Sequence, residues 1–180
     1  MTQVAIQGIV GSYSEEAAIK MLGASVNLLE CGDFAAVFQA LSAGTALRGI
    51  VPVRNKIVGD IAATAELLAA NNIRIVDEFD LEIHHILAGT DDAKLADLRS
   101  IMSHPEALKQ CSVYLAAHPK IKSVAAADTA SSVQRISRDN LKQNAAIASA
   151  RAARIYGAKI LSENISNDPK NWTTFALIEK

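Results

Sequence analysis

Short apolar runs alternate along the chain with longer segments that carry apolar residues at helical spacing. Buried strands are predicted at residues 4–6, 26–29 and 49–53, and helices at residues 15–22, 33–43 and 60–70. Polar residues mark the helix starts, with Ser14 and Asp33 as the expected caps. This alternation predicts an α/β layer whose strands are joined by crossover connections.

Residues 74–88 form a long, partly alternating stretch that predicts extended chain passing from one lobe to another. Beyond it the alternation resumes. Strands are predicted at residues 123–127, 145–148, 159–161 and 174–178, and helices from Ser103, at 129–136 and at 150–156. The adjacent His84 and His85 would face opposite ways on a strand, so they do not indicate a metal site.

Composition narrows the classes of function. Hydrophobic residues make up 50% of the 180, which is enough for a core, and the formal net charge of -1 argues against a nucleic-acid partner. The two cysteines, Cys31 and Cys111, have no metal-ligand spacing and do not indicate a disulfide framework. The sequence contains no signal-peptide pattern and no apolar segment of membrane-spanning length, so we expect a cytoplasmic protein without a membrane partner.

The polar bend after the third predicted strand is the most informative stretch. It carries Arg54, Asn55 and Lys56, and Asp60 follows as the expected cap of the next helix. A strand that delivers such a loop to a helix start offers backbone N–H groups and the positive end of a helix dipole. Two cationic side chains beside these groups strengthen the same prediction, which is an anion-binding loop.

Three other predicted helix starts carry small hydrogen-bonding side chains. They are Ser12, Thr129 and Ser103, and the last has Glu106 at the spacing of a capping box. If two lobes face each other, these starts and Asn55 could surround one small anion. Ordinary helix capping explains the same residues without any ligand.

Several segments, taken in order, resemble the motifs of the prephenate dehydratase catalytic domain. Residues 8–18 resemble its G-x-x-G-T-F-S-x-x-A-A opening, and residues 52–59 its P-x-x-N-x-x-x-G segment. Residues 83–87 resemble I-x-H-x-L, residues 103–111 resemble S-H-P-Q-A-L-x-Q-C, and residues 171–175 resemble N-x-T-R-F. The shared order and spacing extend the resemblance over essentially the whole chain.

The resemblance implies an α/β fold of two lobes, similar to type II periplasmic binding proteins, with the active site in the interlobe cleft. Residues 1–80 and 160–180 would form a discontinuous first lobe, and residues 81–159 would form the second. The sequence ends a few residues after Phe175, so no C-terminal ACT domain is expected. A homo-oligomer, most simply a dimer, is usual for the family.

The resemblance also implies an activity. The chain would be a carbon–oxygen lyase that converts prephenate to phenylpyruvate, water and CO2 in phenylalanine biosynthesis, without a metal or an organic cofactor. Thr173 would assist the leaving hydroxyl, with Asn55 as the second catalytic residue. The expected substrate-binding residues are Ser12, Arg54, Lys56, Glu106, Thr129, Thr174 and Phe175. Arogenate stays open as a second substrate, since its amine could pair with Glu106.

Some positions depart from the family pattern. Arg54 and Lys56 flank the Asn where the family has E-N-S, Glu106 stands where Gln is common, and Thr174 replaces the Arg of T-R-F. Because a guanidinium is a preferred holder of carboxylates, we hypothesise that Arg54, and Lys56 with it, supplies the lost positive charge. Two other functions stay open. One is a lyase that decarboxylates prephenate without aromatising it, and the other is a non-catalytic module that binds a small anion.

Overall fold

The computed structural model describes residues 3–180 as two compact units. Unit 1 contains the residues up to Ile9, Tyr13–Glu82 and Trp172–Lys180, and unit 2 contains Val10–Ser12 and Ile83–Asn171. Residues 160–171, which the resemblance places in the first lobe, lie in unit 2. The reason is strand pairing, because the strand Lys159–Ser162 pairs with a strand of the unit 2 sheet.

Eleven strands and seven α-helices occur within residues 3–180. The strands are β1 (Gln3–Gln7), β2 (Asn27–Cys31), β3 (Arg48–Asn55), β4 (Gly59–Asp60), β5 (Arg74–Glu82), β6 (Ile86–Gly89), β7 (Ser100–Ser103), β8 (Lys122–Ala125), β9 (Asn144–Ala148), β10 (Lys159–Ser162) and β11 (Trp172–Glu179). The helices are α1 (Tyr13–Leu22), α2 (Phe34–Ala43), α3 (Ala62–Ala70), α4 (Pro105–Gln110), α5 (Ser112–Ala116), α6 (Thr129–Arg138) and α7 (Ala150–Ile155).

Unit 1 is built on a six-stranded mixed sheet in the order β2-β1-β3-β11-β5, with β4 paired to β3. The strand β1 pairs in parallel with β2 and β3, as the crossover pattern predicts, whereas β11 is antiparallel to both β3 and β5. The last strand of the chain therefore lies in the middle of the sheet, directly beside the polar bend that follows β3.

The helices of unit 1 cover the sheet and confirm one of the predicted caps. Helix α2 packs Val37 and Phe38 against Ile178 of the sheet in a fully buried cluster. The carboxylate of Asp33 accepts a 2.7 Å hydrogen bond from Ala36 N, so the predicted cap of α2 is confirmed. Helix α1 instead begins at Tyr13, which places Ser14 inside its first turn, and the prediction of Ser14 as the cap is wrong.

Unit 2 is built on a five-stranded sheet in the order β10-β6-β9-β7-β8. The strand β7 is parallel to β8 and β9, and β6 is antiparallel to β9 and β10. Leu87, Ile101 and Ile147, one from each of three strands, share a buried core with Cys111 at the end of α4. No helix within residues 3–180 is both long enough and apolar enough to cross a bilayer.

Candidate functional site

Asn55 and Thr173, the two predicted catalytic residues, are hydrogen-bonded partners on neighbouring strands. They pair across β3 and β11, and Asn55 Nδ2 donates a 2.9 Å hydrogen bond to Thr173 Oγ1. The same amide nitrogen donates a 2.8 Å hydrogen bond to the carbonyl of Trp172. Both side chains are buried, with 1% of Asn55 and 5% of Thr173 exposed. The structure thus brings these two residues together in unit 1.

The polar bend after β3 is a hairpin turn and not the start of a helix. The carbonyl oxygen of the Asn55 side chain accepts hydrogen bonds from Ile57 N (2.8 Å) and Val58 N (3.2 Å), and β4 then pairs back onto β3. Asp60 lies in β4, and α3 begins at Ala62 after Ile61, which makes no side-chain cap. Asp60 is therefore not the predicted cap. The turn's N–H groups bond to Asn55, so the predicted reason for anion binding at this bend is also wrong.

Thr174 lies on the sheet face opposite to Thr173, because successive side chains on a strand alternate between faces. Its hydroxyl donates a 2.6 Å hydrogen bond to Asp80 on β5. On the other neighbouring strand, β3, the residue paired with Thr174 is Arg54, and the Arg54 side chain is exposed. Arg54, Thr174 and Asp80 therefore form one row across three strands, on the face away from Asn55 and Thr173.

The other two predicted site residues of unit 1 are Phe175 and Lys56, which lie near Asn55 and Thr173. Phe175 is two residues beyond Thr173 on β11 and is 3% exposed. The pairing with β3 is irregular between Thr174 and Phe175, but the register with β5 is regular across Thr173–Phe175, so Thr173 and Phe175 share a face of β11. Lys56 is the first residue of the hairpin turn, and its N–H donates a 3.0 Å hydrogen bond to the carbonyl of Trp172. Its exposed side chain is one of the two cations that flank Asn55 in the chain, the other being Arg54.

In unit 2, the segment Val10–Ser12 is hydrogen-bonded to residues at the two ends of helix α7. The hydroxyl of Tyr156 donates a 2.6 Å hydrogen bond to Val10 O, and that of Ser149 donates a 3.3 Å bond to Gly11 O. Gly11 has a φ of 92°, and a Cβ there would lie 3.2 Å from the backbone of Ala152. These contacts place the buried Ser12 directly before α1. Sequence reasoning missed Ser149, although a Ser just before an apolar helix is a cap signal.

Thr129 is the first residue of helix α6, where Asp128 is the cap. The Asp128 carboxylate accepts a 2.7 Å hydrogen bond from Ser131 N, and its carbonyl accepts a 2.7 Å bond from the Ser132 hydroxyl. Asp128 is only 6% exposed and Thr129 only 8%. The capping role explains why an acidic residue is tolerated here, since its charge bonds to the helix N–H groups.

The predicted capping box at Ser103 and Glu106 is wrong. Ser103 ends strand β7, and its buried hydroxyl donates a 2.7 Å hydrogen bond to Ile147 O across the sheet. The cap of α4 is His104, whose Nδ1 accepts a 3.2 Å bond from Glu106 N. Burial lowers the pKa of His104, while the carboxylates of Glu106 and Asp128 act in the opposite direction, so the ring is mostly a neutral acceptor.

Glu106 is already in an ion pair. Lys109 Nζ donates a 2.8 Å hydrogen bond to its carboxylate from the next turn of α4. The Glu106 side chain is one-quarter exposed, with 25% accessibility. A cation that balances the Glu106 carboxylate is therefore Lys109 of the same helix.

The cysteines and acidic clusters offer no alternative chemistry within residues 3–180. Burial raises the pKa of Cys111 to about 12, and burial together with the nearby Asp33 raises the pKa of Cys31, so both thiols stay protonated. No group of three or more His, Cys, Asp or Glu side chains in this part of the chain could hold a metal ion.

The fold and these clusters define an α/β protein of two sheet-based units, with hydrogen-bonding side chains gathered at strand ends and helix starts. The family model described as prephenate dehydratase matches residues 4–180, so the chain belongs to the prephenate dehydratase family. It is 36% identical over 178 residues to "Arogenate dehydratase/prephenate dehydratase 1, chloroplastic" of Arabidopsis thaliana, across 99% of this chain and 45% of that protein. The match to "Arogenate dehydratase 1" of Petunia hybrida is also 36%, across 99% of this chain and 42% of that protein. The chain thus spans less than half the length of these curated relatives.

Solved structures agree with the family assignment. A prephenate dehydratase from Arthrobacter aurescens superimposes with a TM-score of 0.84 at 26% identity, over 99% of this chain and 60% of that one. GqqA, described as a novel type of quorum quenching acylase, superimposes with a TM-score of 0.76 at 29% identity, over 99% of this chain and 64% of that one. A periplasmic substrate-binding protein of an ABC transporter from Coxiella burnetii, at 16% identity and a TM-score of 0.54 over 99% of this chain and 84% of that one, shares the fold alone. The predicted α/β fold class is confirmed.

Proposed function

We propose that this chain catalyses the dehydration and decarboxylation of prephenate to phenylpyruvate, water and CO2. The observation that carries the proposal is the hydrogen bond from Asn55 Nδ2 to Thr173 Oγ1. A hydroxyl has one hydrogen to donate and two lone pairs that accept. Because Asn55 donates to a lone pair of Thr173, the hydroxyl hydrogen of Thr173 is directed to another acceptor. In the reaction this acceptor is the leaving oxygen of the substrate.

The chemistry needs one such donor and a rigid frame. The bond between the ring and its carboxylate breaks, CO2 departs, and the electron pair moves into the ring. As that pair arrives, the ring carbon–oxygen bond breaks, and the departing hydroxide takes up one proton, supplied from solvent, to leave as water. Aromatisation drives the step, so the protein's main tasks are to orient the substrate and to stabilise the departing hydroxide by hydrogen bonding. Thr173 supplies that hydrogen bond, and Asn55 fixes the orientation of its hydroxyl.

Binding of the substrate is proposed for the other predicted residues. Ser12 lies directly before α1 and Thr129 begins α6, and backbone N–H groups at helix starts favour a carboxylate. Lys56 and Phe175 stand beside the Asn55–Thr173 pair in unit 1. That the substrate lies in a cleft between the lobes stays a prediction. The homo-oligomer, most simply a dimer, and the cytoplasmic location stay predictions as well.

Arogenate is the second candidate substrate, because the relatives reported above carry arogenate dehydratase in their names. Arogenate differs from prephenate by an amine in place of a keto group, which adds a cation. The carboxylate of Glu106, paired with the exposed Lys109, is the group that would favour that cation. We therefore propose Glu106 as the residue that sets the preference between the two substrates.

The decisive experiment incubates the purified protein with each substrate and identifies the products by mass and ultraviolet absorbance. Thr173→Val removes the hydroxyl at nearly constant volume, and Thr173→Ser keeps it. We expect phenylpyruvate from the wild type and the Ser variant and a loss of about 100-fold or more in the Val variant.

Two outcomes would replace the proposal. A decarboxylated product that keeps its hydroxyl would indicate the non-aromatising lyase. Stabilisation of the protein by prephenate without any turnover would indicate a binding module.

A further inference from the structure

Three residues from three separate sequence motifs meet in one buried hydrogen-bond network in unit 2. Gln110 Oε1 lies 2.9 Å from His85 Nε2 and accepts a 2.8 Å hydrogen bond from Asn171 Nδ2. All three side chains are buried, with 2% of His85, 5% of Gln110 and 1% of Asn171 exposed. None of the three has a role in the chemistry proposed above.

The direction of both hydrogen bonds follows from the carbonyl at the centre of the network. An amide oxygen can only accept, so His85 must carry its hydrogen on Nε2. Two donors therefore converge on one oxygen, which has two lone pairs to receive them. Burial lowers the pKa of His85 to about 4, with the Gln110 hydrogen bond acting in the opposite direction, so the ring is neutral at ordinary pH.

The network holds the chain at the point where it returns from unit 2 to unit 1. Asn171 is the last residue of unit 2, and its carbonyl accepts a 2.9 Å hydrogen bond from Ile83 N. Trp172 and Thr173 follow directly in β11. The carbonyl of Trp172 accepts hydrogen bonds from both Asn55 Nδ2 and Lys56 N. The segment of residues 171–173 is thus fixed from the Gln110 side at one end and from the Asn55 side at the other.

We propose that Gln110 is a positioning residue: by accepting from His85 and Asn171, it fixes the segment of residues 171–173 and with it the hydroxyl of Thr173. The role in catalysis rests on the function proposed above. A reacting group displaced by about 1 Å can cost on the order of 100-fold in rate, so a fixed segment matters to turnover. The two donors also explain why a Gln suits this position, since an apolar residue would remove the acceptor that both buried donors share.

The chain provides its own reporter for this proposal. Trp172 is the only tryptophan of the 180 residues, and it lies between Asn171 and Thr173. Its fluorescence emission and its quenching by acrylamide therefore report on the segment whether or not the protein turns over a substrate.

The test compares Gln110→Met, which removes the acceptor at similar length, with Gln110→Glu, which keeps an acceptor oxygen. Asn144→Ala is the matched control. Asn144, the first residue of β9, donates a side-chain hydrogen bond to the Ser100 hydroxyl in the same unit, and neither residue belongs to the network around Gln110. The thermal midpoint, Trp172 fluorescence, kcat and KM are measured for each.

We expect the Met variant to shift the Trp172 signal and to lower kcat about tenfold or more, with KM within about threefold of the wild type. The Glu variant should keep the wild-type signal, and the control should change neither signal nor kcat. An unchanged Trp172 signal in the Met variant, or an equal shift in the Met and Glu variants, would overturn the proposal. If the wild type turns over neither prephenate nor arogenate, the proposed function fails, and the fluorescence comparison still decides whether Gln110 fixes the segment.

Discussion

Thr174 donates a 2.6 Å hydrogen bond to Asp80, on the face of the sheet opposite to the one that carries Thr173. The family motif has Arg where this chain has Thr174. The hydrogen bond to Asp80 indicates what an Arg at this position would contact. A side chain at position 174 points towards a carboxylate of the same protein, so a guanidinium there would find an internal partner in Asp80.

We therefore expect Thr174→Arg to leave kcat/KM for prephenate within about threefold of the wild type, because the new guanidinium would pair with Asp80. Thr173→Val, on the other face, is the matched comparison and should lose about 100-fold or more. Steady-state kinetics of both variants check this. A gain of tenfold or more in Thr174→Arg would mean that position 174 reaches the substrate after all.

The Asn55 side chain accepts hydrogen bonds from the turn and donates hydrogen bonds to Trp172 O and Thr173 Oγ1, and Asn55→Asp separates the accepting role from the donating one. A carboxylate still accepts from Ile57 N and Val58 N, so the hairpin turn should form. It cannot donate to Thr173, whose hydroxyl would turn to donate to the new carboxylate instead of the substrate. We expect near-native circular dichroism with a loss of about 100-fold or more in kcat. Turnover close to that of the wild type would show that the Asn55 donor bond does not direct Thr173.

Arg54 and Lys56 are neighbouring cations that the structure places differently. Arg54 is in the row with Thr174 and Asp80, while Lys56 begins the turn beside Asn55. We expect Arg54→Ala to leave KM for prephenate within about threefold and Lys56→Ala to raise it about tenfold, roughly one charge-assisted hydrogen bond. Both KM values, measured at low and high salt, test the hypothesis that Arg54 replaces the lost Arg. A large rise in KM for Arg54→Ala alone would restore that hypothesis.

The periodicity of the chain predicts most of its strands and helices, but not β7, which buries Ile101 and Met102. Asp33 is predictable as a cap because its carboxylate bonds within the next turn. Side chains that bond across the sheet were beyond such reasoning. Ser103 and Glu106 have the spacing of a capping box, yet Ser103 bonds to Ile147, 44 positions away in the chain. Local spacing does not reveal which partner a hydroxyl finds once strands pair.

The candidate site shows the same limit. Asn55 was singled out from its bend, but its partners Trp172 and Thr173 lie 117 and 118 positions further along the chain. Only the antiparallel insertion of β11 beside β3 brings them together. The opposite orientation of Thr173 and Thr174 likewise follows from a register that no single segment contains.

The ion pair of Glu106 and Lys109 should influence substrate choice more than stability. The Lys109 side chain is 63% exposed, so its loss should cost at most about 1 kcal/mol of unfolding free energy. Without it, the Glu106 carboxylate would repel dianionic prephenate more than arogenate, which carries an amine cation. We expect Lys109→Ala to raise KM for prephenate more than KM for arogenate, and Glu106→Gln to do the reverse. Parallel changes for the two substrates would exclude Glu106 as the selecting group.

His85 should make the stability of the protein depend on pH in mildly acidic solution. Burial lowers its pKa from the ordinary 6.5 to about 4, while the unfolded chain takes up a proton near the ordinary value. Between these values the unfolded state binds more protons, so stability is fully present above about pH 6.5 and is lost as pH falls towards 4. The loss of unfolding free energy between about pH 7 and pH 5 should be about 2 kcal/mol, from the two pKa values.

His85→Gln, which keeps a donor to Gln110 but does not titrate, should remove this part of the pH dependence of stability. Burial lowers the pKa of His104 as well, so the variant keeps the His104 contribution and isolates that of His85. Urea unfolding of both proteins at several pH values gives the two curves. If they run parallel, the buried imidazole is not what the acid side of the stability profile reports.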